Sequence, residues 1–265
     1  MREHSLLDTI LEPGGLSVVF QPIFEVADGA RKIHALECLT RGPRGSNMES
    51  AGILFEYVRR KREETLVDRS CIAVALSCAR EFPADLNLCV NVHASTLSRD
   101  REFVGFLLEK AEMNGINPNR LIMEIVEHAP PWDIPTFNQA LNELREAGVR
   151  IALDDIGLGN SNYRMLLDCL PEYFKIDRYL VSGSHTDYYR RAVLQSIVEL
   201  ATKFGSHVVA EGVETQADFD SVRTLGIDLV QGYFLCREMN SERIMESATS
   251  GKMVLPSVGM SVHLN

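Results

Sequence analysis

The chain reads as an α/β protein, a TIM-like (β/α)8 barrel with one antiparallel strand near the N-terminus. Two observations lead there. Eight short runs rich in valine and isoleucine recur along the 265 residues, mostly separated by longer stretches with apolar residues three and four apart. The first two runs are joined only by Ala27-Asp28-Gly29-Ala30, too short for a helical crossover, so that pair has to run antiparallel. Strands alternating with helices predict a largely parallel sheet with helices outside it. An open doubly wound sheet is the alternative, because periodicity alone does not show closure.

A short lead-in helix is expected over residues 5–12, ahead of Pro13-Gly14-Gly15. Strands are expected at 18–26, 33–41, 86–93, 121–127, 149–154, 173–177, 207–211 and 228–231. Helical spacing marks 49–62, 65–80, 135–147 and 188–204, and a further helix over 215–225 begins at a Thr215 cap and stops before Gly226. No linker, low-complexity tract or internal repeat divides the chain. Residues 1–250 are therefore expected to form one barrel domain, and the tail 251–265 carries no pattern that assigns it a structure.

Composition narrows the function classes. Hydrophobic residues make up 45% and charged residues 24%, enough to bury a core without disulfides or structural metal. A net charge of −10 repels a phosphate backbone, which argues against a nucleic-acid polymer as partner. A small anionic ligand stays compatible, since a bound cation reverses the field locally. Cys38, Cys71, Cys78, Cys89, Cys169 and Cys236 form no CxxC pair and sit mostly in apolar or strand-like surroundings, which predicts reduced, buried thiols. No apolar run after the first residues is long enough for a signal peptide or membrane span, so a cytoplasmic protein without a membrane segment is expected.

The informative feature is where polar residues fall on the strands. Glu37 lies in the second, Asn91 near the end of the third, Glu124 in the fourth, and Asp154 and Asp155 at the end of the fifth. Lys175 lies in the sixth, Glu211 closes the seventh and Gln231 the eighth. Polar residues at the same end of successive barrel strands converge on one mouth. Carboxylates crowded there repel one another and lose hydration, so a cation is needed to keep them ionised. Hard oxygen donors, with no Cys or His at ligand spacing, favour magnesium or manganese. For any single acidic residue a capped loop or surface ion pair is the simpler reading; the whole series makes that reading poor. The basic run Arg59-Arg60-Lys61-Arg62 is expected to be one solvated helix end.

These residues also carry a resemblance. Phe20-Gln21-Pro22-Ile23 and Glu37-Cys38-Leu39-Thr40-Arg41 resemble the opening and signature of the EAL family of cyclic-di-GMP phosphodiesterases. The likeness continues through Asn91-Val92-His93-Ala94-Ser95, Glu124-Ile125-Val126-Glu127 and Asp154-Asp155-Ile156-Gly157. It ends with Lys175-Ile176-Asp177-Arg178, Ala210-Glu211-Gly212-Val213-Glu214 and Gln231-Gly232-Tyr233, and an ordered series of this length is specific.

The resemblance implies a barrel with one strand reversed and two divalent ions, Mg2+ or Mn2+. Glu37, Asn91, Glu124 and Asp154 would ligate one, with Asp154 bridging to a second held by Asp155. Water activated between them would open cyclic-di-GMP to linear pGpG. Lys175 resembles the lysine that orients that water, and Glu211 a glutamate of water activation or metal contact; with Glu37 they are the catalytic candidates. Gln21, Arg41, Asp177 and Gln231 are the expected substrate contacts, Arg41 through its donor fork on a phosphate. Glu127 resembles a residue that steadies the loop after the fifth strand. A homodimer is implied as well.

Two departures from the family pattern stand out. Cys38 replaces the signature alanine, and strand alternation turns it away from the Glu37 face, so it should affect packing more than coordination. After Asp155 the loop reads Ile156-Gly157-Leu158-Gly159-Asn160-Ser161-Asn162, where the family has Phe, Thr and Tyr. That change bears on turnover and regulation more than on metal or ligand binding. A module that binds cyclic-di-GMP or a protein partner without cutting is therefore the alternative to an active enzyme.

Overall fold

In the computed structural model, which describes residues 5–27, 30–126, 133–158, 163–250, 252–254 and 261–263, eight strands close into a barrel. Helix α1 (Leu6–Leu11) starts at Ser5, whose hydroxyl accepts from Asp8 N while the Asp8 carboxylate takes Ser5 N, a reciprocal cap. Strands β1 (Ser17–Ala27) and β2 (Ala30–Arg41) pair antiparallel along their length. Helices α2 (Ala51–Lys61) and α3 (Glu64–Ala79) lead to β3 (Asn87–His93), then α4 (Ala94–Arg99), α5 (Phe103–Met113) and β4 (Leu121–Val126). Helix α6 (Ile134–Glu146) leads to β5 (Arg150–Ile156), and α7 (Tyr163–Cys169) to β6 (Tyr173–Ile176). Helices α8 (Arg178–Val181) and α9 (Tyr188–Phe204) precede β7 (His207–Ala210), and α10 (Gln216–Thr224) precedes β8 (Leu229–Val230). Helix α11 (Ser241–Ser250) follows, and β9 (Lys252–Val254) and β10 (Ser261–His263) form a separate antiparallel pair.

Closure comes from β1. It also pairs antiparallel with β8, Phe24 opposite Val230 and Glu25 opposite Leu229, while the remaining neighbours are parallel. The open-sheet alternative falls, and β1 is the reversed strand. Helices α4, α5, α7, α8 and α11 are absent from the sequence reading. Helices α4, α7 and α8 span at most seven residues, too few to show a period. Helix α5 is apolar almost all round at its start (Phe103, Val104, Phe106, Leu107, Leu108), so it shows no stripe.

Alternation along the strands sorts the side chains into two cores. Phe20, Leu36, Val90, Met123, Leu153 and Phe174 point outward and pack with the helices. Cys38 belongs to this outer layer, 4% exposed, as its place beside Glu37 requires. Inside the barrel Ile23, Ala35, Cys89, Ile122, Ala152, Tyr173, Val209 and Leu229, one from each strand, form a single apolar layer. Five of the six cysteines are buried, and all six are free thiols.

Polar groups close the barrel below that layer. The Tyr173 hydroxyl takes a bond from Arg150 Nη1 at 2.8 Å and meets His34 Nε2 at 3.0 Å. Arg150 Nη2 donates to Asn87 Oδ1 at 2.7 Å, and Asn87 Nδ2 to the His34 carbonyl at 2.7 Å. Pairing steps from Ile23↔Ala35 to Phe24↔Ile33, so His34 is the extra residue of a bulge. A bulge at a barrel rim re-aims one side chain, here the imidazole toward Tyr173. Burial, and then the Arg150 charge, push the His34 pKa down to about 4, so the ring is neutral.

Candidate active site at the barrel mouth

The candidate site is the next layer up. Two residues beyond each inner apolar residue stand Glu37, Asn91, Glu124, Asp154, Lys175, Glu211 and Gln231, and two residues back along reversed β1 stands Gln21. A period of two puts all eight on the inner face above the apolar floor. Register supports it: Gln21 pairs with Glu37, and Asn91 with Glu124.

Strand β5 supplies two carboxylates through a second irregularity. Leu153 pairs with Phe174 but Ile156 with Ile176, so β5 carries one extra residue between them. Asp155 takes a left-handed backbone, φ 54°, a conformation aspartate tolerates better than most residues. Asp154 and Asp155 therefore both line the mouth, which consecutive residues of a regular strand cannot do. The strand consequently runs two residues past its expected end at 154. Strands β7 and β8 stop just short of Glu211 and Gln231, although Glu211 N still bonds Ile176 O and Gln231 N bonds Ala210 O. Gly232 (φ 155°) then turns the chain where a Cβ would overlap the Val213 backbone.

Four carboxylates converge on one ammonium. Lys175 Nζ lies 2.5 Å from Glu124 Oε1, 2.6 Å from Glu211 Oε1, 3.3 Å from Glu37 Oε2 and 3.8 Å from Asp154 Oδ1. Burial disfavours its charge, but Glu124, Glu211, Glu37 and Asp154 outweigh burial and hold its pKa well above the ordinary lysine value. Burial raises Glu124 well above the usual range, with Glu37 adding to it, and raises Asp154 against the pull of Lys175. Glu211 is pushed up to about 8, again by burial first. Glu37 is the exception: burial is outweighed by Lys175 and by bonds from Gln231 Nε2 (2.7 Å) and Asn91 Nδ2 (3.4 Å), so its pKa is lowered.

Such a cluster fits a hard divalent cation. Oxygens of Glu37, Glu124 and Glu211 lie within 4.8 Å of one another, a spacing one ion could span. Carboxyls whose pKa values are raised by mutual burial are the groups a cation would ionise. This grouping favours metal contact among the two roles named for Glu211 from sequence. Asn91 and Asp155 line the same mouth. Gln231 Oε1 is buried and has no hydrogen-bond donor among the described residues.

The mouth opens into two lobes. A cavity of about 450 Å3 lies on the α2 and α3 side, lined by Arg41, Phe55, Asn91 and Asp155 among others. A second of about 310 Å3 is lined by Gln21, Lys175, Asp177, Glu211, Gln231 and Tyr233. Glu37, Leu39 and Asp154 belong to both. Asp177 also caps α8 through Tyr179 N at 2.6 Å. Glu127 lies outside the described residues, as do positions 159–162 of the departing loop.

Two supporting residues escaped the sequence reading. Cys89 Sγ donates to Glu124 Oε2 at 2.9 Å, from two residues before Asn91 on the same strand face. Buried Asp68 on α3 takes His93 N at 3.0 Å and Thr96 Oγ1 at 2.5 Å, holding the chain as it leaves β3. Its signal was legible: an aspartate beside Val67 and ahead of Cys71 and Ile72 on the apolar face of α3. The Arg59–Arg62 run is a solvated helix end, with Arg59 and Arg60 both paired to Glu56.

Comparison with known proteins bears on the family and the fold. The blue light- and temperature-regulated antirepressor BluF of Escherichia coli K12 is 27% identical over 80% of this chain and 52% of its own length. The cyclic di-GMP phosphodiesterase PdeL of the same organism is 28% identical over 70% of this chain and 49% of its own length. The chain thus spans about half the length of these curated relatives. A manganese and cyclic-di-GMP complex of Klebsiella pneumoniae BlrP1 superposes with a TM-score of 0.76 at 28% identity, covering 87% of this chain and 57% of that one. Among the described residues no helix is long and apolar enough to cross a membrane. The EAL domain profile matches residues 3–238, and the chain belongs to the EAL domain family.

Proposed function

We propose that this chain hydrolyses cyclic-di-GMP to linear pGpG with two Mg2+ or Mn2+ ions. The carrying observation is the layer of four carboxylates around Lys175 at the shared wall of two lobes. A cyclic dinucleotide has two nucleoside halves, and a scissile phosphate at that wall would leave one half to each lobe.

Glu37, Asn91, Glu124, Asp154 and Asp155 would hold the ions, with Glu211 close enough to join them. Bound ions supply Lewis acidity at a phosphoryl oxygen and lower the pKa of a water. Lys175 is fixed by burial and ion pairing, so its ammonium is already in place to orient the attacking water and offset charge on the phosphoryl group. Glu211, pushed up to about 8 by burial before cations bind, would be ionised when they do and so serve as an acceptor for the attacking water or as a ligand. Arg41 serves a phosphate in the larger lobe, Gln21 and Asp177 contact substrate in the smaller, and Gln231 Oε1 is left as an acceptor.

Incubation with cyclic-di-GMP and Mn2+ or Mg2+, followed by chromatography, tests this; pGpG is the expected product. Tight binding without pGpG at high protein concentration favours the second reading, a binding module. That reading draws on the altered loop after Asp155 and on the relative named an antirepressor. The proposal takes residues 1–250 as the barrel domain and places it in the cytoplasm. It includes a homodimer, supported by Tyr163, Leu167 and Leu170, each more than half exposed on or beside α7, and checked by light scattering.

A further inference from the structure

Arg41 ends β2 and lines the larger lobe, but its guanidinium is already engaged. Nη1 donates to the Thr40 carbonyl at 3.1 Å, and Nη2 lies 3.6 Å from Glu238 Oε1. Glu238 is held there by the backbone. Its neighbour Met239 exchanges both hydrogen bonds with Phe20 on β1, at 2.7 and 2.8 Å, and β1 is the strand beside β2. The same carboxylate oxygen accepts from Tyr233 OH at 3.5 Å, and Tyr233 lines the smaller lobe beneath the Arg237 guanidinium, 4.2 Å above its ring. One carboxylate therefore touches the arginine of one lobe and the tyrosine of the other.

Its second oxygen is unusual. Glu238 Oε2 is buried and has no hydrogen-bond donor among the described residues. A carboxylate oxygen out of water and without a donor is costly to keep. The ion pair itself is partly exposed, 26% at Arg41 and 30% at Glu238, so screening keeps it weak. A ligand phosphate would offer Arg41 two charged oxygens in the geometry its fork prefers.

We propose that Glu238 is an anionic gate on Arg41: its carboxylate holds the guanidinium that a ligand phosphate needs, and the ligand binds by displacing it. The inference rests on the reading of Arg41 as a phosphate contact. Glu238 then sets affinity for the dinucleotide by competing for Arg41 before the ligand binds.

The test is equilibrium binding of cyclic-di-GMP in EDTA, so that no turnover intervenes, on wild type, Glu238→Gln, Glu238→Asp, Arg41→Ala and the Arg41→Ala/Glu238→Gln double variant. Glu238→Gln should tighten binding roughly three- to tenfold, with Glu238→Asp near wild type and Arg41→Ala weaker. In the Arg41→Ala background the gain should shrink to less than about twofold, because the gate acts through that arginine. No gain from Glu238→Gln overturns the gate. An equal gain with and without Arg41 overturns it too, since Glu238 would then act only as a general field. Wild type and Arg41→Ala binding alike would remove the phosphate reading of Arg41 itself, and the gate with it.

Discussion

The two ends of this barrel are built from the same strands by the same device and behave oppositely. At the floor a bulge turns His34 inward; at the mouth an extra residue in β5 lets Asp154 and Asp155 both face the cavity. The floor matches donors to acceptors: Arg150, Tyr173, Asn87 and a neutral His34 form a chain of bonds around one positive charge. The mouth sets Glu37, Glu124, Asp154 and Glu211 around a single lysine and leaves a glutamine oxygen without a donor among the described residues. A satisfied polar network stabilises a fold, whereas like charges crowded out of water wait for a ligand. The apolar layer from Ile23 to Leu229 stands between the two.

The comparison can be broken at the mouth. Glu37→Ala or Asp154→Ala should abolish Mn2+-dependent hydrolysis, by at least about a hundredfold, with far-UV circular dichroism unchanged. Retained activity would place the metal elsewhere. Lys175→Met should lower metal-free stability by about 3–5 kcal/mol, because it strands buried carboxylates without a counter-charge. Mn2+ should recover more melting temperature in that variant than in wild type. An equal gain in both would show that the lysine and the cation do not serve the same carboxylates.

The floor responds to acid instead. The folded His34 pKa is depressed to about 4 from 6.5, so the unfolded chain takes up the proton first as pH falls. His34 therefore contributes stability that is present above pH 6.5 and lost toward pH 4, at most about 3 kcal/mol. Urea unfolding of wild type and His34→Gln at pH 7 and pH 5 should differ by that pH-dependent part, and parallel curves would rule it out. The smallest effect is expected of Cys38→Ala, which should cost about 1 kcal/mol or less of stability and leave Mn2+ affinity alone. A tenfold change in that affinity would mean that the outer layer reaches the ligands.

Legibility in the sequence followed the length of the signal. The eight strands stood in their valine- and isoleucine-rich runs and the antiparallel first pair in its short link, and the residues named at positions 37, 91, 124, 154, 175, 211 and 231 share one layer. Short helices such as α4 and α8 were not legible, since one turn has no period. Cys89 read as a core thiol, and its bond to Glu124 depends on two neighbouring strands meeting in register. Glu238 read as nothing at all, because the contact with Arg41 spans almost two hundred residues of chain.

Residue type and spacing by themselves determined the family, the order of strands and helices and the identity of the mouth residues, because strand alternation is local and covalent geometry enforces it. Closure by β1 against β8, the two bulges, the four-way pairing of Lys175 and the gate at Glu238 were decided by tertiary structure alone. Each depends on how far one strand slides against its neighbour, and that distance is set by packing across the whole barrel.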